Sequence, residues 1–194
     1  MTGDLPSALR DEVAAHLGPF QGASDRFDVL QLRAAPTLEP GAAVPAKLVS
    51  TTRLDPSTAA QRRSFEFQGR EINGRKMAMD RADAVVVKGT TEVWTVQNGH
   101  DTPHSFHIHD VQFQVLTVDG GPPPPALSGW KDTVYLQPHV PIQIIAKFTD
   151  YADPTTPYMF HCHVLWHEDQ GMMGQFVVVE PGQSPALSAH HHGG

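Results

Sequence analysis

From about Ser64 onward the chain is a succession of short strand-like runs, and their spacing limits its fold more than any other feature. The runs cover residues 64–68, 84–88, 91–97, 106–118, 132–136, 142–149 and 175–180. Turn signals part them: Asn73-Gly74, Asn98-Gly99, Gly120-Gly121 followed by four prolines, and Asp153-Pro154. Short apolar runs punctuated by Pro and Gly predict an all-β fold, an antiparallel β-sandwich with Greek-key connections. The first 60 residues read differently. Residues 6–18 predict a short helix, with Leu9, Val13 and Leu17 four apart between Pro6 and Gly18-Pro19. Residues 27–32 predict a strand, and residues 34–60, rich in Ala, Pro, Thr and Ser, predict a linker. One helix and one strand cannot enclose a core. Residues 1–60 therefore read as the remnant of a preceding domain plus linker, 61–182 as the sandwich domain, and 183–194 as a flexible tail.

Composition narrows the partners. The 194 residues carry 14 Lys+Arg against 21 Asp+Glu, a formal net charge of -7, which argues against nucleic acid and anionic membrane surfaces. No apolar run is long enough to span a bilayer, and the N-terminus shows no secretory signal. A single cysteine, Cys162, rules out an intrachain disulfide. The twelve histidines are not scattered: five fall in two short clusters, and His167 follows just behind the second.

The first cluster is His104-Ser-Phe-His107-Ile-His109. Side chains alternate between the faces of a strand, so His107 and His109 are expected to share a face with Val111, Phe113 and Val115, and His104 to point the other way. In the second cluster, His161-Cys162-His163, parity sends the two histidines one way and the thiol the other. His167 and Met172 come from the turn beyond and can fold back towards Cys162. Two donor sets result: His104, Cys162, His167 and Met172; and His107, His109, His161 and His163. Two imidazoles, a thiolate and a weak thioether make a blue-copper electron-transfer site. Magnesium and calcium want oxygen donors, and zinc gains little from a Met. The second set is all imidazole, and its members His161 and His163 flank the cysteine of the first.

These residues resemble the multicopper oxidases, the laccase-like family, most closely its bacterial Met-ligated members. The family motif H-x-x-H-x-H stands at 104–109 and H-C-H-x-x-x-H-x-x-x-x-M at 161–172; Gly129-Trp-Lys-Asp-Thr-Val134 and Gly171-Met-Met-Gly-Gln-Phe176 are also similar. The resemblance covers roughly residues 62–181 and implies a cupredoxin-like Greek-key sandwich. It implies type 1 copper at His104, Cys162, His167 and Met172, type 2 copper at His107, and the type 3 pair at His109, His161 and His163. Glu168 sits where some relatives carry a proton-relaying acid. The implied chemistry is one-electron oxidation of phenols, amines or metal ions, with dioxygen reduced to water, in a periplasmic or secreted setting. The family's trinuclear cluster takes eight histidines, four of them from H-x-H pairs that this sequence lacks outside 107–109 and 161–163. The expected partners are therefore dioxygen, a small reducing substrate, and a complementary chain carrying the missing pairs, or a homo-oligomer. Two other readings stay open: a one-copper electron-transfer cupredoxin, and a non-catalytic copper-binding fragment. His16, His100 and His139 read as solitary surface or core histidines, Met77, Met79 and Met173 as packing residues, Trp94, Trp130 and Trp166 as core or rim aromatics, and His190-His-His as a weak metal-binding tract.

Overall fold

A computed structural model describes residues 28, 30–38, 41–43, 45 and 49–187. The chain divides into two units, Met1–Thr52 and Arg53–Gly194. In the first, the helix expected over 6–18 lies outside the described residues. The strand expected over 27–32 is not formed at residues 28 and 30–32, which carry no regular structure. A lone strand has no ladder of hydrogen bonds to hold it extended.

The second unit is built from β1 (Gln61–Gln68), β2 (Glu71–Ile72), β3 (Ala84–Val87), β4 (Thr91–Asn98), β5 (His104–Ile108), β6 (Phe113–Val118), β7 (Trp130–Lys131), β8 (Thr133–Leu136), β9 (Ile142–Lys147), β10 (Tyr158–His161) and β11 (Met173–Val179), with one helical turn, α1 (Leu165–Asp169), before the last strand. They form a six-stranded sheet in the order β2-β1-β4-β9-β6-β7 and a five-stranded sheet in the order β3-β11-β10-β5-β8. This is the expected all-β sandwich, with one correction. The sheets are mixed rather than antiparallel, because β1 pairs with β4, and β3 with β11, in parallel. Neither pair is joined by a hairpin; β2 and β3 intervene in the first case and most of the domain in the second.

Alternation decides which side chains enter the core. β1 buries Phe65 and Phe67 and exposes the residues on either side. Trp94, 1% exposed, is ringed by Phe65, Phe106, Phe148, Phe160 and Phe176 at centroid distances of 4.8–6.4 Å. Its indole N–H donates to the buried Glu92 carboxylate at 2.7 Å, which Arg63 also grips through two N–H groups at 2.7 and 2.8 Å. Cys162 and Met172 belong to this same apolar core.

The run 106–118 is two strands, not one. β5 lies in the five-stranded sheet and β6 in the six-stranded sheet, with Asp110 in the left-handed region (φ 70°) between them. The change of sheet corrects the expected parity. Phe113 and Val115 face the core alongside Phe106, whereas His107 lies on the opposite face of β5.

Candidate metal centre

All eight candidate donors stand near one end of the neighbouring strands β5, β10 and β11. β5 begins at His104, as the first cluster requires, and points His104, Phe106 and Ile108 inward and His107 outward. His161 is register partner to His107 across the β5–β10 ladder. Phe160 is buried and pairs with Gly174 of β11. Cys162, two residues beyond Phe160, is likewise buried.

The chain then folds back. α1 is a single turn whose N–H groups at His167 and Glu168 both reach the Val164 carbonyl, at 2.8 and 3.0 Å. Gly171, at φ 88°, turns it into β11; this is left-handed backbone that other residues adopt only with strain. The Met172 N–H donates to the His167 carbonyl at 3.0 Å, and the Met172 carbonyl accepts from the Cys162 N–H at 3.2 Å. Three of the four donors of the first set are thus tied together through the backbone. The Cys162 Sγ is 3.6 Å from His104 Nδ1 and 3.6 Å from His167 Nδ1, and all four side chains are 3% exposed or less.

These distances fit a metal. Three donors in a trigonal plane, with bonds of about 2.0–2.3 Å, stand roughly 3.5–3.9 Å apart. The protonation states fit as well. Burial pushes the His104 pKa down to about 3 and lowers that of His167, so both rings are neutral and can ligate. Burial also pushes the Cys162 thiol up, against the pull of backbone N–H groups at Ser105 and Val164. Those N–H groups would stabilise the thiolate once a cation displaced the proton.

The second set lies on the other face. His107, His109 and His161 each bring a ring nitrogen within 4.8 Å of the other two. The Nε2 atoms of His109 and His161 are 3.2 Å apart. The exposed His163 ring lies alongside, 5.2 Å from His107 and 5.4 Å from His161 between centroids. The orientation of two rings is fixed from behind. His107 Nδ1 lies 3.0 Å from the Asp132 carbonyl and 2.8 Å from the Thr133 hydroxyl, and His161 Nδ1 lies 3.2 Å from the Cys162 carbonyl. An Nδ1–H donated to a carbonyl leaves Nε2 as the lone-pair nitrogen for a metal. Burial lowers the pKa of His109 and of His161, keeping those rings neutral too.

Glu168 belongs to this face. Successive helical residues point about 100° apart, so His167 points towards Cys162 and Glu168 towards His161. Glu168 Oε2 is buried without a hydrogen-bond partner and lies 3.5 Å from His161 Nδ1, an electrostatic approach rather than a hydrogen bond. His139, expected to be solitary, pairs with Asp101 at 2.9 Å. Sequence reasoning passed over Asp132, Thr133 and Ser105. Ser105 Oγ accepts the His163 N–H at 2.9 Å. The signal for the first two lay in the stretch 129–134, whose similarity to the family was visible without its purpose.

A family model described as multicopper oxidase matches residues 46–182. The chain is 44% identical to the multicopper oxidase mco of Staphylococcus haemolyticus over 111 residues, 55% of this chain and 24% of that one. It is 32% identical to the cell division protein FtsP of Sodalis glossinidius over 184 residues, 87% of this chain and 38% of that one. Among solved structures it is similar to the laccase-like multicopper oxidase CueO of Ochrobactrum sp., with a TM-score of 0.63 and 36% identity, over 68% of this chain and 33% of that one. The chain therefore spans only 24–38% of the length of these relatives.

Proposed function

Since the chain belongs to the multicopper oxidase family, we propose that it is the domain that takes electrons into such an oxidase and supplies half of its oxygen-reducing centre. The observation that carries this is the pair of donor sets back to back across Cys162: His104, Cys162, His167 and Met172 as a type 1 copper site, and His107, His109, His161 and His163 as half of a trinuclear site. Copper, when bound, supplies one-electron oxidation of a phenolic, amine or metal-ion donor at the first set and reduction of dioxygen to water at the second.

The protein's own share is positional. The covalent route between the sets is short, from Cys162 Sγ through its Cα and one peptide to His161 or His163, and the His161 Nδ1 contact with the Cys162 carbonyl at 3.2 Å shortens it further. Asp132, Thr133 and the Cys162 carbonyl hold His107 and His161 with Nε2 presented. Glu168, whose Oε2 is buried 3.5 Å from His161 Nδ1, is the acid we assign to relaying protons towards the second set. The remaining four imidazoles come from a further polypeptide segment or a complementary chain, with a homo-oligomer as the less favoured source. A periplasmic or secreted setting follows the family.

The likeness to a cell division protein over 87% of the chain favours a second reading, in which the domain acts by binding a partner rather than by turnover. That reading gives no reason for six donors gathered in two groups close enough to hold a metal. An oxygen electrode separates the cases. Copper-loaded chain with a phenolic donor is expected to consume no oxygen alone, and to do so once a segment with two H-x-H pairs is added. Oxygen uptake by the chain alone would contradict the count of missing ligands, and none in either case would favour the binding role.

A further inference from the structure

Beside the first donor set lies a surface patch that the proposed chemistry leaves unused. Val164, Leu165 and Trp166 are 40%, 68% and 46% exposed. The Trp166 ring centroid lies 5.6 Å from that of His167. Arg70, from the turn between β1 and β2, sets its guanidinium carbon 4.1 Å from the Trp166 ring centroid. Among the described residues no carboxylate forms an ion pair with Arg70. A cation here runs against a chain of net charge -7.

A guanidinium laid over an indole face keeps its in-plane N–H donors available, and their fork matches a carboxylate or similar oxyanion. Exposed apolar surface alone would accept any arene. With an unpaired guanidinium at its edge, the patch favours an arene that carries negative charge. We propose that Arg70 and Trp166 form a docking site for small anionic aromatic electron donors, placing them against His167. This rests on the reading of His104, Cys162 and His167 as the centre where electrons enter.

Tryptophan fluorescence of the copper-free chain tests it, titrated with 4-hydroxybenzoate and with the neutral 4-hydroxybenzamide. The benzoate is expected to quench saturably and to bind roughly fivefold more tightly at low salt, with the difference shrinking as salt rises. Arg70→Gln should abolish the preference and Arg70→Lys keep part of it. Trp166→Phe should remove the quench, and Trp130→Phe, at the other exposed tryptophan (39%), should keep it. Equal binding of the two arenes, or a preference that survives Arg70→Gln, overturns the docking site. The visible spectrum of the copper-loaded wild type reports separately. A blue band with unselective binding defeats the docking site alone, and selective binding without a blue band defeats the electron-entry reading and the donor role with it.

Discussion

Burial sets the charge of the individual donors and thereby couples stability to pH. His104 titrates near 3 in the folded chain against 6.5 for an ordinary histidine, with burial the main cause and the neighbouring His167 next. Below about 6.5 the unfolded chain takes up a proton that the folded chain refuses, so stability is full above that pH and is lost as pH falls towards 3. His109, His161 and His167 shift in the same direction. The copper-free chain should therefore unfold at lower urea at pH 5.5 than at pH 7.5, with His104 alone contributing up to about 1.4 kcal/mol per pH unit. An unchanged midpoint would show that these rings are not held neutral. The two clusters were the most legible part of the sequence, because alternation along a strand needs only local information. Parity alone separates His104 from His107, and Cys162 from His161 and His163. What it could not show is how His107 is held, since Asp132 and Thr133 come from elsewhere in the chain.

At the scale of elements, the site depends on how closely its strands and loops approach. A side chain on Gly174 would begin 2.5 Å from the ring of Phe160, which is fully buried and cannot yield. Gly174→Ala should cost about 1–3 kcal/mol by overpacking between β10 and β11, visible as a lower thermal midpoint, and should loosen the Cys162–Met172 backbone contact. Asn98 is the second such point. Fully buried, its side chain donates to the carbonyls of Thr102 and Leu136 at 2.8 and 3.2 Å and accepts from the His100 N–H at 2.9 Å. It thereby shapes the loop that delivers His104. Asn98→Ala should lower the urea midpoint by the equivalent of about 2–3 kcal/mol and weaken copper retention; a neutral result would mean that the loop is held from elsewhere. The elements themselves were only partly legible. Val111, Phe113 and Val115 keep step with His107 and His109, whereas β5 buries Phe106 and Ile108; this shift of apolar phase is the one local trace of the left-handed Asp110 and the change of sheet. Pairing direction does not show in a strand's own residues, which is why the parallel β1–β4 and β3–β11 ladders do not follow from the sequence.

For the sandwich unit as a whole, Cys162 stands between two donor sets on opposite faces of a sheet. The faces should be separable. His107→Ala with His109→Ala should leave the visible spectrum of the first set unchanged while abolishing oxygen uptake in any assembled oxidase. A simple electron carrier would lose nothing, and a shared structural role would damage both. The all-β class was legible from spacing and turn residues alone. The source of the four further imidazoles that the proposal calls for was not, because a chain's residues do not record which surface would complete them.

The most direct test of the two donor sets is a copper titration of the purified chain, followed by visible absorption and electron paramagnetic resonance, with Cys162→Ser alongside. The expected result is an intense blue band that saturates at about one tightly held copper per chain and is missing from Cys162→Ser although the variant stays folded. A chain that takes up copper without the band, or a band that survives loss of Cys162, would contradict it.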